Sequence, residues 1–246
     1  MVVGLFIPCY IDQFFPEVGI ACLDLLEKQG IKVEFPLDQT CCGQPMANSG
    51  CERDGVGAAQ LLVKNFHSFD FIVCPSGSCT AHVRDHFDIL EQTEAVKKVR
   101  ANTYELTEFL IDILKVGQLD AYFPHKVGFH ASCHGLRGLN LGLSSELNGT
   151  AFSKPHQLLN MVEGIELIEL SRQDECCGFG GTFAVSEEAV SVKMGNDRIA
   201  DHESHGAEVI TGGDMSCLMH LKGLLTRQNS TMKVMHIAEI LNHSKQ

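Results

Sequence analysis

Eight of the eleven cysteines in this 246-residue chain fall into two sets with one order: Cys9, Cys41, Cys42 and Cys79, then Cys133, Cys176, Cys177 and Cys217. Four thiolates are the number that ligates an ordinary [4Fe–4S] cluster, so each set is read as a cluster site. Adjacent cysteines diverge in a turn and suit different metal atoms of a cluster better than one tetrahedral ion. Gly43 and Gly178 follow the two pairs. Without a Cβ they admit positive φ and let backbone N–H groups approach cluster sulfur. Cys74, five residues before Cys79, is a further candidate metal ligand in the first set; its counterpart in the second is Gly212.

Other uses of the thiols fit less well. An odd number of cysteines cannot be consumed by intramolecular disulfides. A four-cysteine zinc site is the nearest competitor, but zinc generally takes ligands from knuckles with two to four intervening residues. Cysteine as a small core residue accounts for single positions. Cys22, on an apolar stripe with Ala21 and Leu25, is read that way, and Cys51 is read as a non-ligand.

The positioning elements are visible as alternation. Apolar runs at 2–7, 31–35, 69–73, 127–129, 165–170 and 208–210 read as buried strands. Helical spacing occupies 18–29, 57–66, 105–114, 187–200 and 215–225. The expected fold class is therefore α/β with parallel sheets. The chain also repeats itself: Phe6-Ile7-Pro8-Cys9 is echoed by His130-Ala131-Ser132-Cys133, and Cys79-Thr80-Ala81-His82 by Cys217-Leu218-Met219-His220. The tails Tyr104–Leu110 and Val234–Leu241 also match. We expect two duplicated Rossmann-like halves, 1–122 and 123–246, each of about 120 residues. In such a sheet the cysteine loops converge on one rim.

Several segments taken together, Cys41-Cys42-Gly43-Gln44-Pro45, Cys74-Pro75-Ser76-Gly77-Ser78-Cys79, Ser132-Cys133-His134-Gly135, Cys176-Cys177-Gly178-Phe179-Gly180-Gly181 and Gly213-Asp214-Met215-Ser216-Cys217, resemble the cysteine-rich CCG-domain family. That family includes the cysteine-rich component of heterodisulfide reductase and the iron–sulfur component of glycolate oxidase, and the likeness is greatest to its lactate-utilization members. The resemblance implies an iron–sulfur electron-transfer subunit of an L-lactate-oxidising complex, with two [4Fe–4S] clusters. It implies partners too: a second iron–sulfur protein and a small third subunit. The chain would then be part of an oxidoreductase rather than a complete enzyme. The heterodisulfide reductase members close each set with Cys-x-x-Cys, where this chain has Ser76 and Asp214, which points to ordinary cubane clusters. Two other readings stay open. One is a catalytic subunit whose cluster binds a 2-hydroxy acid or disulfide directly, with His134 and Arg137 beside Cys133. The other is a zinc-stabilised interaction module.

Net charge of −12 without a Lys/Arg-rich run argues against nucleic acid as a partner. No apolar stretch reaches the roughly 20 residues of a transmembrane segment, and the opening MVVGLFIPCY reads as a core strand rather than a signal peptide. The expected location is the cytoplasm. Gly178-Phe179-Gly180-Gly181 lacks the order of a dinucleotide or phosphate loop, so no flavin, NAD or ATP site is expected. His82 and His220, three residues after the last cysteine of each set, are read either as hydrogen-bonding neighbours of the cluster or as helix packing. His202 and His205, among charged residues, are expected to face solvent.

Overall fold

The computed structural model describes residues 1–245. In its first half, β1 (Val2–Leu5) leads into α1 (Cys9–Phe14) and α2 (Pro16–Lys28), and β2 (Lys32–Glu34) into α3 (Gln44–Asn48) and α4 (Val56–Phe66). Next come β3 (Phe71–Cys74), α5 (Gly77–His86), α6 (Glu94–Asn102), β4 (Thr103–Glu105) and α7 (Leu106–Glu108), the last continuing as a wider helical turn over Phe109–Ile113. The second half opens with β5 (Lys126–Phe129), a wide helical turn over His134–Gly138, α8 (Lys154–Leu159) and β6 (Glu166–Leu167). It continues through α9 (Phe183–Ser186), α10 (Glu188–Ser204), β7 (Val209–Gly212), α11 (Met215–Arg227), β8 (Lys233–His236) and α12 (Ile237–Leu241).

The strands form two four-stranded sheets of identical topology, β2-β1-β3-β4 and β6-β5-β7-β8, and every pairing is parallel. Val3 stands between Val33 and Phe71, as Val127 stands between Leu167 and Val209. The central strands are buried as parallel strands covered on both faces must be, all four residues of β7 being out of solvent. This is the duplicated α/β, Rossmann-like architecture that the alternation and the repeat predict. In each sheet the chain leaves the first strand toward one edge and returns on its other side. The carboxyl ends of β1 and β3, and of β5 and β7, therefore open a crevice where loops diverge, the usual ligand position in such sheets.

β4 and β8 are additions to the strands expected from sequence. The segment expected to be helical from residue 105 is extended over Thr103–Glu105 before it turns. These edge strands are short and run straight into helices, so they carry almost no alternation of their own. Glu105 ends β4 and caps α7, accepting from Thr107 N at 2.7 Å and Glu108 N at 3.2 Å. His236 does the same for α12: its Nδ1 accepts from Ala238 N at 3.2 Å, while Glu239 accepts from His236 N at 2.7 Å.

One apolar core runs through both halves, joining Leu25, Leu26 and Leu110 to Ile210, Leu221 and Ile237. α2 packs against α12, and Lys28 Nζ donates to Asn242 Oδ1 at 2.7 Å. Cys22 is fully buried in this core, as its apolar stripe predicts. A second core, with Phe6, Phe66, Val83 and Phe87, belongs to the first half alone. His205 is exposed, but His202 is fully buried, against expectation. Glu203, Ser204 and His205 beside it are exposed, whereas Asp201 is buried with it, next to the face of α10 that carries Gly195, Arg198, Ile199 and His202 at helical spacing.

Candidate metal centre

Each cysteine of the two sets sits where a strand hands over to a helix. Cys9 is the first residue of α1, after Pro8 in extended conformation. Cys133 occupies the same place before the turn 134–138. Cys79 and Cys217 are each the third residue of a longer helix, α5 and α11. Cys41-Cys42 and Cys176-Cys177 end in Gly43 and Gly178, left-handed at φ 94° and 85°. That turn folds each pair back on itself: Gly43 N donates to Cys41 Sγ and Gly178 N to Cys176 Sγ, both at 3.4 Å. Helix N-termini and inward N–H groups supply the positive partial charge that favours thiolates.

All eight sulfur-bearing residues line one cavity of about 390 Å³ at the meeting of the two crevices. Opposed loops close it. Ser76 and Asp214 form a bridge between halves, Gly77 N donates to Gly213 O at 3.2 Å, and Ser78 N donates to Asp214 Oδ2 at 2.8 Å. Ser76 also caps α5 by accepting from Cys79 N, and Asp214 caps α11 through Ser216 N, both at 3.3 Å. The two positions that break the Cys-x-x-Cys pattern thus join the halves and cap the helices that carry Cys79 and Cys217. The loops after the two Cys-Cys-Gly turns touch as well, Thr182 Oγ1 donating to Asn48 O at 3.1 Å. Phe179 packs edge-on against Tyr10 with ring centres 6.0 Å apart.

Within each set the sulfurs contact one another. Cys9 Sγ and Cys41 Sγ are 3.8 Å apart. Thiol hydrogen bonds from Cys42 and Cys9 push the Cys41 thiol well down in pKa, and the same contact with Cys41 pushes Cys9 well up. In the second set Cys176 is pushed down by bonds from Cys133 and Cys177, while Cys133 and Cys177 are pushed up. Packed thiols share protons because they cannot all be anionic side by side. Metal cations supply the missing positive charge and deprotonate coordinating thiols outright. The donor set fits iron–sulfur ligation: four sulfurs per set, backbone N–H groups aimed at sulfur, and no Lys or Arg on the cavity wall among the described residues.

The remaining sequence candidates are placed differently. Cys74, the last residue of β3, is fully buried and lies behind Cys79, to which its thiol donates, rather than on the cavity wall. Cys51 is exposed. His134 lines the cavity, whereas Arg137 turns outward to Glu146, Nε to Oε1 at 2.7 Å. His82 stacks on His86 with ring centres 5.2 Å apart, and burial lowers its pKa to about 4. His220 Nε2 lies 3.4 Å from Ser191 O. Sequence reasoning passes over His130, which stands behind the second set: a ring nitrogen of His130 and the sulfurs of Cys177 and Cys217 all lie within 4.8 Å of one another. The available signal is the repeat itself, which pairs His130 with Phe6.

The Cys-Cys-Gly turns differ in tolerance, which gives a first prediction. A Cβ on Gly43 would find its nearest neighbour, Gly55 O, at 3.4 Å, whereas one on Gly178 would meet Ser191 O at 2.6 Å and Met194 Cβ at 2.7 Å. Gly43→Ala is expected to cost about 1–2 kcal/mol through its left-handed φ alone. Gly178→Ala adds overpacking of about 1–3 kcal/mol. Thermal unfolding of the two variants checks the order; equal losses would refute it.

Comparison with known proteins follows the same duplication. A cysteine-rich CCG domain profile matches twice, at residues 3–84 and 127–222. The chain is 41% identical over 249 residues to lactate utilization protein A of Halalkalibacterium halodurans, covering 100% of this chain and 98% of that protein. It is 39% identical over 246 residues to lactate utilization protein A of Bacillus subtilis, covering 98% and 99%. Among solved structures, a hypothetical protein from Helicobacter pylori superposes with a TM-score of 0.66 at 11% identity, over all of this chain and 49% of that one. This last likeness is one of fold. With the cysteine-rich domain matched in both halves and full-length relatives at this identity, the chain belongs to the CCG cysteine-rich domain family.

Proposed function

We propose that Cys9, Cys41, Cys42 and Cys79 hold one [4Fe–4S] cluster, that Cys133, Cys176, Cys177 and Cys217 hold a second, and that the chain transfers electrons as a subunit of an L-lactate-oxidising complex. The observation that carries this reading is the convergence of both four-cysteine sets on one cavity between the halves. Clusters housed there would be close neighbours, a suitable arrangement for passing electrons. The names of the full-length relatives support a role in lactate utilization. The halves 1–122 and 123–246 are then one cluster module each.

The catalytic reading is less well supported. Neither the cysteine cavity nor the neighbouring apolar cavity of about 380 Å³ has a Lys or Arg among its described lining residues to receive a substrate carboxylate. The second cavity carries Glu105, Glu169 and Asp174, which oppose an anion. Partners are further iron–sulfur and small subunits, since an electron-transfer chain needs a donor and an acceptor. Among the described residues no helix is long and apolar enough to cross a membrane. Among the described residues none of the eleven cysteines is in a disulfide, which suits a reducing compartment, and we assign the chain to the cytoplasm.

The test is anaerobic reduction of the reconstituted complex by L-lactate, followed in the visible spectrum. Bleaching of this chain's clusters that requires the partner subunits is the expected result. Direct bleaching of the isolated chain by lactate would favour the catalytic reading, and bleaching by glycolate but not lactate would move the substrate.

A further inference from the structure

The two halves differ in what stands behind their cysteines. In the first, Phe6, three residues before Cys9, packs edge-on against Phe66 of α4 with ring centres 5.8 Å apart, and both are fully buried. In the second, the equivalent positions are His130, three residues before Cys133, and His202 of α10. For the helix residues the correspondence is one of place: a Cβ on Gly4 of β1 would strike Phe69 at 2.6 Å and Phe66 at 2.9 Å, and one on Gly128 of β5 would strike His202 at 2.1 Å.

Arg198, one turn before His202 and fully buried, fixes the state of the His130 ring. Its Nε donates to His130 Nδ1 at 3.2 Å, and its other nitrogens donate to Phe129 O, Arg172 O and Asp201. A guanidinium has no acceptor to offer, so Nδ1 accepts, and a neutral imidazole with Nδ1 accepting carries its proton on Nε2. His130 Nε2 is buried and has no hydrogen-bond partner among the described residues. An N–H donor left unpaired in a buried site is costly, and the sulfurs of Cys177 and Cys217 lie within 4.8 Å of a ring nitrogen of His130. Phe6 offers the first set no such donor, and the group behind that set, the Cys74 thiol toward Cys79, is a weak one.

We infer that His130, oriented by Arg198, donates an Nε2–H hydrogen bond to the sulfur of the second cluster site, and that this makes the second cluster the more easily reduced of the two. The inference rests on the reading that the second cysteine set holds an iron–sulfur cluster. A donor to sulfur stabilises the more negative, reduced cluster and raises its potential, and a buried cation beside it acts in the same direction. The asymmetry gives electrons a direction of flow, from the first half toward the second. His130 is a positioning and tuning residue here, not a catalytic one.

The experiment is a redox titration of the anaerobic holoprotein followed by electron paramagnetic resonance, in wild type, His130→Phe and His130→Gln, with Cys177→Ser identifying the second cluster's signal. His130→Phe installs the residue the first half uses, and His130→Gln keeps an acceptor for Arg198 and a donor for sulfur. The second cluster's midpoint is expected to fall in His130→Phe, the first cluster's to stay in place, and His130→Gln to remain near wild type. An unchanged midpoint in His130→Phe, a midpoint in His130→Gln as low as in His130→Phe, or loss of the second cluster from either folded variant would overturn the donor role. Equal iron content in wild type and Cys177→Ser would instead overturn the cluster assignment beneath it, and the two failures are thereby distinguished.

Discussion

Replacing Cys41 with serine is expected to lower the iron of the anaerobically purified protein from about eight to about four per chain, and Cys177→Ser is expected to do the same through the other set. The effect is large because each residue is central to its group. Cys41 lies 3.8 Å from Cys9 and receives Gly43 N–H, and Cys177 lies between Cys176 and Cys217 at 2% exposure. Three sulfurs and a hydroxyl are a poorer cradle for a cluster than four thiolates. The double variant should carry almost no iron. Cys51→Ser, at an exposed position, and Cys74→Ser, behind Cys79 and off the cavity wall, should each retain about eight. Iron analysis of this panel separates ligands from bystanders. Loss of a cluster in Cys74→Ser would make that residue a ligand, and full retention in Cys41→Ser would remove the first site.

Arg198→Ala should be among the most destabilising single changes in the chain. The guanidinium is 0% exposed, with Asp201 Oδ2 at 3.3 Å, His130 Nδ1 at 3.2 Å and two backbone carbonyls as further partners. Removing it leaves a buried carboxylate without its cation and several acceptors without donors. Breaking a buried pair from one side typically costs about 3–5 kcal/mol. For a chain of this size that is a fall in melting temperature on the order of 10 °C. Arg137→Ala is the contrast. Its pair with Glu146 lies at the surface, where an ion pair contributes about 0–1 kcal/mol. Melting curves by circular dichroism compare the two, and similar losses would show that the Arg198 network contributes no more than a surface pair.

Much of this arrangement is legible in the sequence. The repeated Cys…Cys-Cys-Gly…Cys order needs no structure, because chance does not place vicinal cysteines and a glycine twice in one register. Alternating apolar runs and helical stretches are enough for the parallel α/β class, since buried parallel strands and amphipathic helices have different periods. β4 and β8 are less visible because short edge strands passing directly into capped helices leave no period of their own. His202 is misplaced by local sequence for a related reason. Its immediate neighbours Asp201 and Glu203 belong to a charged run, yet the spacing Gly195, Arg198, Ile199, His202 puts it on the inward face of α10. The Phe6–His130 difference is present in the aligned repeat, but its meaning depends on Arg198, which reaches the ring from 68 positions away. Convergence of both cysteine sets on one cavity depends on how the two sheets face each other through Ser76 and Asp214, and local sequence does not encode that.

Two clusters in one chain are tested most directly by iron and acid-labile sulfide per chain after anaerobic purification, read together with the electron paramagnetic resonance spectrum of the reduced protein. Two filled four-cysteine sites predict about eight iron and about eight sulfide, with signals from two clusters close enough to interact. Zinc without sulfide, in a colourless protein, would contradict them.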